Sequence, residues 1–282
     1  MSTDFRFPGS YWALILGASS GFGGAAAIEL ARHGMNICGV HLDRASTMPN
    51  VEAIRKEIEK EGVKVAFYNF NASDAAKRNE VLDDMQKRFA SEKDATFRIL
   101  LHSLAFGTLK PYIGKTPADM MTQAQVEMTL DVMANSVLYW TQGIIVRGLM
   151  KPGGRIFGMT SSGGHSVLPN YGAVSAAKAA LESHLRQLSM ELGPYGITAN
   201  SIMAGVTDTP ALKKIPAAVK MLAVAKAKNP RTRTTTPEDV AKIIALLCHD
   251  AADWLSGNVL GVDAGEDVVS YIGQTSPTDL GE

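Results

Sequence analysis

The sequence predicts an α/β fold, a doubly wound parallel sheet of about seven strands with helices on both faces. Three observations carry that expectation. Short apolar runs alternate with longer amphipathic ones, a glycine-rich turn follows the first apolar run, and no repeat or low-complexity linker breaks the alternation. With 46% hydrophobic and 20% charged residues in 282, the chain can bury a sizeable core.

Strands are expected over residues 11–16, 35–40, 64–70, 98–102, 154–159, 197–202 and 258–262. Between them, apolar positions at helical spacing predict helices over 24–33, 46–61, 75–90, a long one over 125–150, then 173–192 and 237–249. Gly34, Gly62, Gly193 and Gly196 fall where helices should stop, and Thr236-Pro237-Glu238-Asp239 has the chemistry of a helix start. The economical reading is one continuous domain over 1–282, with an irregular lid-like segment at about 207–235 and a tail at about 272–282.

Composition excludes several function classes. Lys+Arg and Asp+Glu are both 28, so the net charge is zero and a general nucleic-acid binder is not expected. Cys38 and Cys248 lie in apolar runs, as buried free thiols of a reducing compartment would. No signal peptide and no run of about 18 apolar residues occurs, so a soluble cytoplasmic protein is expected, without a membrane partner. No His/Cys/Asp cluster has metal-ligand spacing, so no metal is expected.

The run "YWALILG" leads into "GASSGFGG" and then an alanine-rich helix. Strand, glycine turn and helix start in that order make a site for a cofactor phosphate, because free backbone N–H groups and the positive end of the helix dipole converge there. Gly17, Ser19, Ser20, Gly21, Phe22 and Gly23 are the candidate residues. The second strand should end beside an adenosine ribose, at His41-Leu42-Asp43-Arg44. Asp43 would favour NAD(H), Arg44 would favour NADP(H), and His41 stands roughly where the acid usually does; NADP(H) is the expectation.

After the fifth strand, Thr160, Ser161 and Ser162 emerge at the carboxyl end of the sheet, where ligands of such folds bind. Tyr171 and Lys178 follow on the next helix, seven residues and about 10.5 Å apart on one face. An ammonium near a phenol would lower the pKa of the phenol and ready it for proton transfer.

The turn spacing G-x3-G-x-G resembles that of the short-chain dehydrogenase/reductase family, whose Rossmann fold matches the pattern above. Carbonyl-reducing members carry Tyr-x3-Lys with a serine thirteen positions before the tyrosine. Here residue 161 is the serine, but position 174 is Val174 and the tyrosine stands one turn back, at 171. That Tyr-x6-Lys spacing resembles the enoyl-acyl-carrier-protein reductases of the family. "LHSLAFG", from His102 to Gly107, resembles their His-Ser pair, and "SIMAGVTDTP" their Ala-Gly-x3-Thr.

The resemblance implies that Asn71 and Ala72 lie against adenine and that Ser103, Leu104, Ala105 and Gly205 line the cofactor. It implies further that the Val206 backbone meets the carboxamide, that Thr209 contacts the cofactor, and that Lys178 holds the nicotinamide ribose. It implies an NAD(P)H-dependent enoyl reductase of fatty-acid metabolism, a homotetramer acting on an acyl thioester: hydride goes to Cβ while Tyr171, aided by Ser161, stabilises the enolate. The outer tyrosine of the commonest members would align with Ser161, so the chain departs from them there.

Two other readings stay open: a carbonyl or alcohol oxidoreductase, and a cofactor-binding regulator without turnover. Lys213, Lys214, Lys220, Lys226, Lys228, Arg231 and Arg233 in the lid segment suit the phosphates of coenzyme A or an acidic acyl carrier protein. Ala173, Ala176, Ala177 and Ala180 offer a small-residue face for another subunit, and Met120, Met121, Met159 and Met203 are expected near an acyl pocket. His165 is expected in a loop near the substrate, and His102 in the cofactor cleft.

Overall fold

Seven parallel strands run in the order β3-β2-β1-β4-β5-β6-β7 in a computed structural model that describes residues 5–215 and 217–270. They are β1 (Tyr11–Leu16), β2 (Asn36–His41), β3 (Val65–Asn69), β4 (Thr96–His102), β5 (Arg155–Thr160), β6 (Thr198–Ala204) and β7 (Val259–Val262). The order reverses direction between β1 and β4, which opens a crevice at the carboxyl ends of those two strands. The expected tail at 272–282 lies outside the described residues.

Period-2 alternation splits the strand side chains between two cores. Trp12, Leu14, Leu16, Leu100 and Ile156 face one side, covered by α3 (Ala75–Ala90), α5 (Ser136–Val146) and α6 (Gly172–Leu192). Ala13, Ile15, Ile99, Leu101 and Phe157 face the other, covered by α1 (Gly21–Arg32), α2 (Met48–Glu59) and α8 (Pro237–Leu247). Both faces being covered explains why the strands read as continuous apolar runs. The two cysteines are free and buried, as expected.

The expected long helix over 125–150 is interrupted. α4 (Gln123–Leu130) starts at a Thr122–Gln125 capping box, a π turn follows over Asp131–Asn135, and only then does α5 begin. The Ser136 N–H reaches back to Asp131 O, one residue further than an α-helical bond, so one extra residue is accommodated there.

The segment expected to be irregular holds a helix, α7 (Ala218–Lys228). Its sequence AVKMLAVAKAK consists largely of strong helix formers, a signal that the flanking Pro216 and Pro230 obscured. α6 ends at Leu192 with Gly193 as its C-cap, as expected, but Gly193 keeps a right-handed helical backbone and opens a 3-10 turn, and the left-handed residue is Gly196 with φ +66°. Of the small-residue face proposed for another subunit, Ala173 and Ala177 are turned into the chain's own core.

Candidate active site

The glycine turn is built by three close approaches. A Cβ on Gly17, at φ +92°, would lie 2.3 Å from Ser103 O, and one on Gly23 would lie 2.1 Å from Gly17 O. No side chain fits at either position, so β1 exits against the end of β4 and α1 begins directly on the turn. Ser20 is the residue before α1, its hydroxyl caps no N–H, and the first turn of α1 contains no acid. The helix start is thus open to an anion. Phe22 packs into the core behind it.

On the β2 side, His41 is buried, and its Nδ1 lies 2.9 Å from Asp43 Oδ2. Burial pushes the Asp43 carboxyl up, but the neighbouring Ser19 and Thr47 hydroxyls and the His41 ring together hold it below the usual carboxylate range. The main chain of Asp43 is clamped by the Asn69 amide, 2.9 Å in both directions. Arg44 is exposed, and its backbone turns on Thr47. Asn71 is exposed and accepts from the Ser73 N–H, while the Ala72 carbonyl receives the buried Trp140 Nε1 at 2.8 Å.

At the end of β4, Ser103 donates its N–H to Leu16 O at 2.9 Å, Leu104 packs on the core, and Ala105 is exposed. His102 is wholly buried, with Nε2 2.8 Å from Ser136 Oγ. That hydroxyl donates to Val132 O, so Nε2 carries the ring proton in this assignment. Burial, and then Lys178, push His102 down to about 3, which keeps the ring neutral and removes it as an acid near pH 7.

Tyr171, Ser161 and Gly163 converge. A Cβ on Gly163 would stand 2.6 Å from Tyr171 Cε1 and 3.2 Å from Ser161 Oγ, so the glycine makes room for both. Ser161 Oγ is buried with no hydrogen bond of good geometry among the described residues, and the polar group beside it is the Tyr171 phenol. Val174, where a carbonyl-reducing tyrosine would stand, is a core residue 5% exposed.

Lys178 is 7% exposed and donates from Nζ to Met159 O at 2.7 Å; burial pushes it down to about 8, with Glu182 one turn on pulling the other way. Glu182 also receives the Thr160 hydroxyl at 2.6 Å.

The expected lowering of the Tyr171 phenol by Lys178 is not found. Burial pushes Tyr171 up, and the counteracting group is the Ser161 hydroxyl. The reason is reach: seven helical residues put the two Cα atoms about 10.5 Å apart, and the ammonium is turned to the β5 carbonyl instead.

The loop after β6 closes the site. Gly205 is packed under Thr235, Asp263 and Glu266, and Thr209 is buried against Gly21, whose Cβ would lie 3.6 Å from the threonine methyl. The Val206 N–H is already taken by Glu266 Oε1 at 3.0 Å. The N–H of the buried Thr207 has no backbone partner among the described residues. Sequence reasoning missed Glu266, Glu182 and Ser136, because only the fold brings them to these partners.

His165 is in the loop as expected, half exposed and paired with Asp267 at 3.1 Å. The Met159 side chain lies in the core on the far face of the sheet, and only its carbonyl serves the site. Among the described residues no group of three or more His, Cys, Asp or Glu could hold a metal ion, and no helix is long and apolar enough to cross a membrane.

The model of the family described as enoyl-(acyl carrier protein) reductase matches residues 17–266. The chain is 32% identical over 200 residues to the enoyl-(acyl-carrier-protein) reductase (NADH) FabI of Synechocystis, covering 67% of this chain and 74% of that one. It is 29% identical over 262 residues to an NADPH-dependent aldehyde reductase-like protein, chloroplastic, of Arabidopsis thaliana, covering 90% and 93%. FabI of Candidatus Liberibacter asiaticus shares the fold with a TM-score of 0.82 at 22% identity, over 95% of this chain and 99% of that one.

Proposed function

The chain belongs to the enoyl-(acyl carrier protein) reductase family of short-chain dehydrogenases/reductases, and on that premise we propose that it reduces the 2,3 double bond of an enoyl thioester with NADH. The observation that carries the reading is the position of the phenol. Tyr171 lies beside Ser161 at the crevice, while the slot one turn nearer Lys178 is filled by the core residue Val174. Reducing a carbonyl puts hydride on the carbon bearing oxygen; reducing an enoyl thioester puts it on Cβ, two bonds from the oxygen. An acid displaced outward by one turn, about 5 Å, suits the second geometry.

The residues fit a dinucleotide. Gly17, Gly21 and Gly23 form a cradle that side chains would fill or strain, and Ser161 presents an orphaned buried hydroxyl. Ser19, Ser20 and Phe22 would meet the pyrophosphate, and Asn71 and Ala72 the adenine. Ser103, Leu104 and Ala105 would line the ribose side, and Lys178 would hold the nicotinamide ribose. Val206 would offer its carbonyl rather than its N–H, with the Thr207 N–H as donor, and Thr209 would close over the phosphates.

When bound, the cofactor supplies a hydride and is left with a cationic ring. Tyr171, whose raised pKa keeps it protonated near neutral pH, donates to the enolate oxygen, and Ser161 orients it. Asp43 supports NADH over the NADPH that Arg44 suggested: a ribose hydroxyl can donate to its carboxylate, whereas a 2′-phosphate would be repelled.

The acyl carrier would dock on the lid. Seven bases and no acid occur between residues 210 and 235. Lys213 pairs with Asp208, Arg233 with Asp239, and Lys228 bonds Asp267 O; Lys214, Lys220, Lys226 and Arg231 make no ion pair among the described residues. Four exposed cations suit an acidic carrier protein or the phosphates of coenzyme A. A single domain assembled as a homotetramer completes the proposal, and light scattering tests the assembly.

The deciding experiment follows NADH and NADPH oxidation with crotonyl-CoA beside a panel of aldehydes and ketones. Turnover of the enoyl thioester supports the reading. Turnover of carbonyls alone replaces it with the second reading, which the orphaned Ser161 hydroxyl favours, and cofactor binding without any turnover indicates a regulator.

A further inference from the structure

Glu266 is a buried carboxylate beside the cofactor loop that the mechanism above leaves unused. It follows β7, is only 6% exposed, and makes no ion pair among the described residues. Oε1 accepts the Val206 N–H at 3.0 Å and Oε2 the Asn229 amide at 3.4 Å, so both oxygens act as acceptors. A Cβ on Gly205 would stand 3.1 Å from Oε2, which places the carboxylate flush against the loop. Asp263, also buried, is committed elsewhere, to the N–H groups of Gly265 at 2.9 Å and Asp267 at 2.8 Å.

The loop it touches leaves β6 beside Thr160 and Ser161, since Thr160 is in register with Met203, and its far end reaches Gly21 at Thr209. It therefore flanks the end of the crevice where Tyr171 stands. A carboxylate one loop's thickness behind a bound ring, where water is sparse, acts through its charge. Hydride transfer breaks one ring C–H bond and delivers the electron pair to Cβ, so the ring gains one positive charge as the enolate gains the negative one.

Building on the proposed NADH reading, we infer that Glu266 stabilises the oxidised cofactor ring relative to the reduced one and so favours hydride delivery. The charge works from behind the loop, while the contact with Val206 sets the loop's position.

The test measures the affinities of the full chain for NAD+ and NADH by calorimetry, in wild type, Glu266→Gln and Glu266→Asp. Glu266→Gln keeps the size and an acceptor for Val206 but removes the charge, and should raise the ratio Kd(NAD+)/Kd(NADH) on the order of tenfold. Glu266→Asp keeps the charge and should hold the ratio near the wild-type value even where the loop shifts. A role limited to propping the loop would weaken both ligands by one factor in Glu266→Gln, or move the ratio equally in both variants, and either result overturns the inference. Wild-type protein that binds neither form overturns the cofactor reading itself, a separate outcome.

Discussion

The two ends of the sheet bury cationic side chains to a similar depth and engage them differently. At the amino ends, Arg98 and Arg155 are almost wholly buried and each is held by several hydrogen bonds. Arg98 bonds Cys248 O twice, at 2.8 and 3.0 Å, and pairs with Asp250; Arg155 bonds the carbonyls of Gly153, Gly154, Leu247 and His249 and pairs with Asp253. Together they cap the carboxyl end of α8. At the carboxyl ends, among the described residues, Ser161 Oγ and His102 Nδ1 are buried without a partner, and Lys178 makes one hydrogen bond. A satisfied buried group holds the fold together, whereas an unsatisfied one costs stability, and unsatisfied atoms also occur away from the crevice, at Trp12 Nε1 and Thr198 Oγ1.

Substitutions can break that comparison, beginning with the largest effect. Tyr171→Phe should lower kcat by about 10²- to 10⁴-fold while leaving NADH affinity and the unfolding midpoint unchanged. An equal loss in cofactor affinity, read by calorimetry, would contradict the acid role. At the other end, Arg155→Ala should cost about 3–5 kcal/mol of stability in a denaturant titration, with KM unchanged, because it strands the carbonyls of Gly153, Gly154, Leu247 and His249, while Asp253 is exposed and rehydrates. Gly163→Ala should move the Tyr171 ring, which lies 2.6 Å from the added methyl; a shift near 1 Å can cost about 10²-fold in kcat, with little change in melting temperature.

Lys178 sharpens the comparison through pH. Its pKa, lowered from 10.5 to about 8, predicts that kcat/KM for the cofactor falls above about pH 8 as the ammonium is lost. Stability should move the other way. Between about pH 8 and 10.5 the unfolded chain holds more protons at this lysine than the folded one, so its contribution to stability rises with pH there, and Lys178→Met should flatten that rise in denaturant titrations. The smallest effect belongs to Asp43→Asn, which should improve NADPH relative to NADH by several-fold in kcat/KM; an unchanged ratio would locate cofactor choice elsewhere.

Much of this was legible beforehand. The glycine turn could be read because its reason is local: a strand, positions that admit no side chain, and a helix start follow one another directly. The displacement of Tyr171 by one turn from Val174 was legible for the same reason, being a matter of spacing on one helix. The π turn was not, since an inserted residue leaves the apolar spacing of 123–146 nearly unchanged. The α7 helix was missed because prolines close to either end read as breakers.

By itself, then, the sequence determined the parallel seven-stranded sheet, the glycine turn at its first crossover, and which residue type stands at each position of the helix that carries Tyr171 and Lys178. Those properties depend on periodicity and on neighbours a few residues away. Only the tertiary structure decided that the Lys178 ammonium answers the Met159 carbonyl rather than the Tyr171 phenol, and that Glu266 takes the N–H of Val206, sixty residues away. Which buried donor meets which acceptor is settled by packing, because desolvation leaves each group to the partner that the fold brings within about 3 Å.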